Sequence, residues 1–387
     1  MIELLETTKN YIVDIRRKLH SAPELGTEEI ETQKLIVSEI EKLNLEYKKV
    51  NTGVIVDIGD KNSANLIAFR ADIDALKILE QNNLSYASKN IGKMHACGHD
   101  SHTAILLGLA RELANNQKHR IDGRVRLIFQ PNEEGEGGAK DLIKKGVLKD
   151  VKSIFALHVK TDIPCFSVAL KPREFMASVD EIRIHLTGHG GHAAIPQKST
   201  DIILASSQIV LALNTIISRN INPNKSAVLS ICKFSSGTTY NVIPSEAVLE
   251  GTLRTFDDWE RNIICEKIKI ILESFSNIYN LKYNLEIKNT NGALINDSIM
   301  TETLFGIFKE ENIFEKVISL NEPSMGGDDF SEYLKYVKGV YFYLGAGNEK
   351  KGINHDWHSP FFNIDEDAME GGVKALLAIV KNIEKFS

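Results

Sequence analysis

The chain has 387 residues, 43% hydrophobic and 25% charged, and its 46 Lys and Arg against 52 Asp and Glu give a net charge of −6. At about 150 residues per domain this is two to three folded domains, with cores large enough to need no disulfide or structural metal. Such a composition excludes disorder, collagen and coiled coil, and the lack of a basic excess argues against a nucleic-acid partner.

Cys97, Cys165, Cys232 and Cys265 show no tight pairing pattern, which fits free thiols in a reducing compartment. Met1-Ile2-Glu3-Leu4-Leu5-Glu6 carries acids where a signal peptide carries Lys or Arg, so the expected location is the cytoplasm. The longest apolar stretch, Ile202 to Ile217, is interrupted by Ser206, Ser207, Gln208, Asn214 and Thr215. It is expected to form a buried amphipathic helix rather than a membrane span, and no membrane partner is expected.

In chain order, Ile12, Ile15 and Leu19 mark one side of a helix that stops near Ser21-Ala22-Pro23. A second helix is expected from Thr27 to Leu43, then strands at Val54–Ile58 and Leu66–Phe69 and a helix at Thr103–Ala114. A strand at Val125–Phe129 is ended by Pro131, a short helix has Gly146 as its C-cap, and another strand fits Ile154–Leu157. This alternation predicts an α/β domain, a mixed sheet covered by helices.

The pattern then changes. Glu181–Leu186 alternates polar and apolar residues as a half-exposed strand does. A long helix over roughly 200–218, strands at Ala227–Lys233 and Ala247–Arg254, a helix over 257–275 and a strand at Tyr283–Ile287 follow. That order, β-α-β-β-α-β, is the ferredoxin-like α+β arrangement. After about 290 the α/β style returns, ending in a helix near 365–384. The C-terminal piece is too short to fill a core alone, so residues 1–177 and 290–387 are expected to build one discontinuous large domain. Residues 178–289 are then an inserted satellite domain.

Polar residues collect after three of the strands: Asp72 and Asp74, then Gln130 to Glu134, then His158. Any one is ordinarily a solvated loop charge, but together they indicate a site at the carboxyl ends of a sheet. The run Met94 to His102 holds a thiol and three imidazoles. Cys97 and His99, two apart, point the same way in an extended loop and suit zinc and its neighbours, while Gly98 lets the backbone fold tightly. His102, at the start of an apolar helix, reads as structural, and His95 stays open. Glu133-Glu134 offers one carboxylate to a metal and one as a base. The neighbouring Gly135-Glu136-Gly137-Gly138 is no phosphate cradle, because it lacks the P-loop Lys and its acids repel phosphate. Asn354 to Pro360 offers either His355 or His358 as a further ligand. In the satellite, Gly188 to Pro196 presents histidines as candidate hydrogen-bond donors, and Arg254, after a strand, is a candidate carboxylate clamp.

Taken together, Arg16–His20, Pro23-Glu24-Leu25, Arg70–Ala75, Met94–Asp100, Phe129–Glu134, Leu157-His158, Gly191–Ala194, Gly251–Arg254 and His358-Ser359-Pro360 carry a family likeness. The chain resembles the co-catalytic metallopeptidase and amidohydrolase family. That family contains aminoacylases, hippurate hydrolase, thermostable carboxypeptidase, plant auxin-conjugate hydrolases and N-acetyldiaminopimelate deacetylase. The resemblance implies a zinc-peptidase-like catalytic domain in which Cys97, His99, Glu134, His158 and His358 hold two divalent metal ions (Zn, Mn, Ni or Co), Cys97 bridging. It implies Glu133 as general base, His192 as oxyanion stabiliser across a dimer interface, Asn241 and Arg254 as substrate-binding residues, and Asp72 as a residue orienting a ligand.

The implied activity is hydrolysis of the amide bond of N-acyl amino acids or short peptides in a homodimer joined through the satellite. Alternatives are an N-acetyldiaminopimelate deacetylase, a metallo-carboxypeptidase or dipeptidase, and a thiol amidase using Cys97 with His99. Two positions depart from the family pattern: Asn132 stands where Ala is common, and Gly326-Gly327-Asp328-Asp329-Phe330 carries Asp328 where Glu is usual.

Overall fold

Apolar residues three and four apart fix the first two helices: Ile12, Ile15 and Leu19 are buried on one, Ile36, Val37 and Ile40 on the other. The computed structural model describes residues 2–115, 121, 123–135 and 137–386, so Glu136 of the glycine-rich run lies outside the described residues. The chain begins with α1 (Thr8–Ser21), α2 (Ile30–Lys42), β1 (Tyr47–Val50), β2 (Gly53–Gly59), β3 (Leu66–Asp72) and α3 (His99–Asn115). Next come β4 (Arg124–Gln130), α4 (Gly138–Lys144), β5 (Ser153–Pro164), β6 (Ser167–Leu170) and β7 (Arg173–Met176). The middle segment holds β8 (Val179–Thr187), β9 (Gly191–His192), α5 (Ile202–Leu213), α6 (Thr215–Asn220), β10 (Val228–Ser236) and β11 (Val242–Ile243). It ends with β12 (Glu246–Arg254), α7 (Asp258–Tyr279) and β13 (Lys282–Asn291). Last are β14 (Leu294–Asn296), α8 (Ser298–Glu310), β15 (Lys316–Ser319), α9 (Phe330–Leu334), β16 (Lys338–Gly347) and α10 (Ala368–Lys381).

These elements form two compact units. One comprises Met1–Phe175, Ile295–Glu322 and Asp329–Ser387, the other Met176–Leu294 with Pro323–Asp328. The second thus takes a short segment that the sequence placed in the large domain. Backbone pairing is the reason: the Ala177 N–H donates to the carbonyls of Ser324 (3.0 Å) and Gly326 (2.9 Å). The atypical Asp328, which is buried, belongs to this second unit.

In the first unit, eight strands form one mixed sheet in the order β1-β2-β4-β3-β5-β16-β6-β15. β3 runs parallel to both β4 and β5, and β5 parallel to β16. The central strands β3 and β16 are buried almost throughout, as strands covered on both faces must be. Ile12, Ile105, Leu109, Val373 and Leu377, from α1, α3 and α10, share one core with Phe69, Phe155 and Phe342 of the sheet. A Cβ on Gly108 of α3 would meet Ile12 and Val373 side chains at 2.7 and 2.8 Å, so glycine is what lets these three helices close.

The sheet positions the site through strand length. β3 pairs with β5 only as far as Arg70↔Ala156, and β5 continues to Pro164. His158 therefore stands level with the end of β3.

The second unit is a four-stranded antiparallel sheet in the order β10-β12-β8-β13, with α5 and α7 on one face. Ile182, Ile184 and Leu186 alternate inward and meet Ala205, Ile209, Leu213, Ile264, Ile268 and Leu272 of the helices. This is the ferredoxin-like order. The apolar stretch from Ile202 departs from expectation: it breaks at Asn214 into α5 and α6, and only its inner face is buried. Ile203, Leu204 and Leu211 lie outside, Leu211 at 70% exposure, because the sheet covers one face of the helix only. By length and composition the run Ile202–Asn220 is apolar enough to cross a membrane, but its inner face is part of this unit's core.

A candidate metal centre

The densest histidine run is shaped by a turn and a helix start. Gly98 has a φ of +95°, and its carbonyl accepts the N–H groups of Ser101 (2.9 Å) and His102 (3.1 Å). His99 is the first residue of α3, so Cys97 and His99 converge by this turn and not by the alternation of an extended loop. A Cβ at Gly98 would strike the Val159 side chain, so only glycine brings the turn against β5.

Six side chains meet beyond the strand ends. Single donor atoms of Cys97, His99 and His158 lie within 4.8 Å of one another, as do those of Cys97, Glu134 and His358, and those of His99, Glu133 and Glu134. Cys97 Sγ is 3.3 Å from His158 Nε2. Hydrogen bonds fix the ring tautomers. His99 Nδ1 donates to the Asp74 carbonyl at 2.9 Å, and His158 Nδ1 to the Val159 carbonyl at 2.8 Å, which leaves both Nε2 lone pairs directed at the centre.

His358 has a φ of +64°, is pinned by its N–H to the Ala96 carbonyl at 2.8 Å, and places Nε2 3.4 Å from Glu134 Oε1. His355 sits apart, its ring 5.4 Å from that of Phe361.

The donor set suits divalent cations. His99 Nε2 and Glu134 Oε1 are buried without a hydrogen-bond partner, an arrangement that is costly unless a cation satisfies them. Burial, with Glu134, Glu133 and Asp72 nearby, pushes the Cys97 thiol well up. A bare thiolate is disfavoured there, which argues against a thiol amidase. With no cation present, burial opposes protonation of His99, yet Asp72, Asp74 and Glu134 prevail and push it up to about 10, a proton that a bound cation would displace from Nε2. Burial keeps His158 neutral, well below its ordinary value. The centre holds more negative charge than its own residues balance, and cations would offset it. Thiolate, imidazole and carboxylate together accept zinc, manganese, nickel or cobalt.

A shell of buried partners holds these groups. Asp72 Oδ1 lies 2.6 Å from His102 Nδ1, and Asp72 Oδ2 accepts from Arg70 at 2.5 Å and lies 3.7 Å from His99 Nε2. His102 Nε2 in turn accepts the Val159 N–H at 3.0 Å, and its ring meets that of His158 edge-on at 4.5 Å. Asp74 Oδ2 accepts the Glu134 N–H at 3.0 Å. Asp329 accepts from Arg70, Gln130 and the Ala139 N–H, and its own N–H lies 3.4 Å from Glu133 Oε1. Sequence reasoning named Asp74 beside Asp72 and read His102 as structural, as it is, but gave an orienting role to Asp72 alone and none to Asp329. The Asp-x-Asp spacing after β3 was the one signal pointing to Asp74. His95 is buried with neither ring nitrogen partnered, and burial lowers its pKa to about 4.

His192, Asn241 and Arg254 lie in the second unit, where they do not form one group. His192 is exposed on β9 opposite Val242 of β11, and the Ala193 N–H donates to the Asn241 carbonyl at 3.1 Å. Arg254 ends β12, half-buried, and burial lowers its pKa against the pull of Asp180. β12 begins at Glu246, just after β11, and nine residues at ~3.4 Å each set the two ends about 27 Å apart.

Residues 68–382 match the sequence pattern of peptidase family M20/M25/M40. An N-acetyl-L-cysteine deacetylase of Bacillus subtilis (strain 168) is 40% identical over 368 residues, covering 94% of this chain and 86% of the relative. Thermostable carboxypeptidase 2 of Saccharolobus solfataricus is 36% identical over 393 residues, covering 98% of this chain and 99% of the relative. Among solved structures, a dinuclear metal-binding peptidase of the M20 family from Bacillus subtilis matches with a TM-score of 0.85 at 34% identity, covering 98% of this chain and 99% of that one.

Proposed function

This chain belongs to peptidase family M20/M25/M40, amidohydrolases and peptidases that cut amide C–N bonds, and from that premise we propose that it deacylates N-acyl amino acids with two divalent metal ions. The observation that carries the reading is the convergence of Cys97, His99, Glu134, His158 and His358, with His99 Nε2 and Glu134 Oε1 buried without a hydrogen-bond partner. Likeness to the deacetylase and to the dinuclear peptidase supports the substrate class and the metal count.

In this reading Cys97, His99, Glu134, His158 and His358 would hold the cations, which would supply Lewis acidity and lower the pKa of a nearby water. Glu133, kept beside them by the Asp329 N–H, takes the proton as water attacks the amide carbonyl. It then returns that proton to the leaving amine nitrogen, which frees a carboxylic acid and an amino acid. Arg254 clamps the carboxylate of the amino acid, and His192 donates to the developing oxyanion with Asn241 beside it.

The distance along β12 supports a homodimer in which His192 and Asn241 come from a second copy, since one copy of the second unit cannot bring both ends of that strand to a small substrate. The exposed Ile203, Leu204 and Leu211 of α5 and Phe234 of the edge strand β10 supply an apolar surface for that contact.

The test is hydrolysis of N-acetyl, N-benzoyl and dipeptide substrates by protein stripped with a chelator and then resupplied with zinc, manganese, nickel or cobalt. Activity on acyl amino acids that vanishes on stripping and returns with metal is the expected result. Activity confined to dipeptides establishes the carboxypeptidase or dipeptidase alternative, and activity indifferent to chelator refutes the metal centre.

A further inference from the structure

The turn that carries Glu133 is gripped from both sides by carboxylates. On its C-terminal side Asp74 holds the Glu134 N–H. On its N-terminal side Glu29 Oε1 accepts the Asn132 N–H at 2.9 Å. The Asn132 carbonyl accepts the N–H of Gly138, the first residue of α4, at 3.0 Å.

Asn132 itself has a φ of +57°, a conformation asparagine tolerates better than alanine does. Its side-chain amide sits between Gly26 and Gly135, where a Cβ on either glycine would overlap its Oδ1. Glu29 is fully buried, and its second oxygen accepts the Thr52 hydroxyl at 2.6 Å. It occupies the cap position of α2, yet its side chain makes no hydrogen bond to that helix. Its carboxylate is committed to the catalytic turn and to the β1–β2 hairpin instead.

We infer that Glu29 and Asn132 are positioning residues, which hold the left-handed bend ahead of Glu133 and so aim its carboxylate at the reacting centre. The inference rests on the reading of Glu133 as general base. Glu133 sits between two backbone amides, each held by a buried carboxylate, so its main chain cannot swing without breaking one of these bonds. Asn132, a departure from the family's usual alanine, fits the bend that this grip imposes.

The experiment uses manganese-loaded protein with N-acetyl-L-cysteine as the probe substrate, and compares Glu29→Ala, Glu29→Gln and Glu133→Gln. Glu29→Ala is expected to lower kcat about tenfold to a hundredfold with KM within about twofold, as loss of a supporting partner does. Its metal content should equal that of the wild type, and hydrogen exchange in residues 130–135 should accelerate. Glu29→Gln, which keeps an acceptor for the Asn132 N–H, should recover most of the turnover.

A Glu29→Ala kcat within about twofold of wild type overturns the inference. So does a Glu29→Gln enzyme as slow as Glu29→Ala. Should Glu29→Ala fail to fold, Glu29→Asp, which keeps the charge but shortens the reach to the Asn132 N–H, carries the same expectation, and wild-type turnover in it is equally fatal. Glu133→Gln separates the two readings: a fully active variant removes the base and this inference with it, whereas an inactive one beside a fully active Glu29→Ala sinks the positioning role alone.

Discussion

Asp74 joins two candidate ligands that are far apart in the chain: its Oδ2 accepts the Glu134 N–H at 3.0 Å, while its carbonyl accepts His99 Nδ1–H at 2.9 Å. Asp74→Ala keeps the carbonyl but removes the grip on Glu134 and one buried negative charge. Metal affinity is expected to fall about tenfold to a hundredfold, the usual effect of losing a partner that orients ligands. Titration against a competing chelator measures it, and unchanged affinity would show that Glu134 needs no such support.

Glu133→Gln has nearly the same shape but cannot accept a proton from water. Turnover should drop by about a hundredfold to ten-thousandfold, the range for loss of a general base. Bound metal should be unchanged, because the donor atoms nearest the centre belong also to Cys97, His99, Glu134, His158 and His358. Steady-state rates together with metal content decide it. Turnover close to wild type would remove Glu133 from the mechanism.

How much of this was legible depended on whether a feature is local in the chain. Cys97 and His99 could be picked out because a thiol and three imidazoles crowd the short run Met94–His102, and Glu133 and Glu134 because they follow a strand. Between His355 and His358 local sequence offered no choice, since what separates them is the reach of His358 to Glu134 across more than two hundred residues. The partners of Asp74, His102 and Asp329 were hidden for the same reason. These lie on other strands, and periodicity reports which face is buried, not what a buried polar group touches. α5 shows the converse limit. Its apolar content was plain, but a composition that reads as core cannot say that only one face would find a sheet to cover it.

His20 makes stability depend on pH. Its ring is fully buried between Asp100, 2.8 Å from Nδ1, and Glu80, 3.1 Å from Nε2. Burial alone would lower its pKa, but the two carboxylates prevail and raise it above 6.5. A raised folded-state pKa means that folding favours the protonated ring. The resulting stabilisation is complete below the unfolded value of about 6.5, and is lost as pH rises through the higher folded value. The difference in unfolding free energy between wild type and His20→Gln should therefore be largest at about pH 6 and below, and should shrink toward alkaline pH. Urea melts across a pH series measure it. A difference that grows with pH would show that the ring is held neutral.

The two ends of β12 make a prediction about assembly. If His192 comes from one copy and Arg254 from the other, His192→Ala and Arg254→Ala are each inactive as homodimers, since every site lacks one group. In a mixed dimer, one site combines the intact Arg254 of the first variant with the intact His192 of the second, and the other site lacks both. Random reassortment makes half of the dimers mixed, so mixing equal amounts after mild dissociation should restore about a quarter of wild-type activity. The recovery should rise with the time allowed for exchange and should be absent when the two variants are mixed without dissociation. If the mixture stays inactive although exchange is shown by mass-tagged copies, His192 and Arg254 do not complement across two copies, and the reading in which His192 comes from a second copy falls.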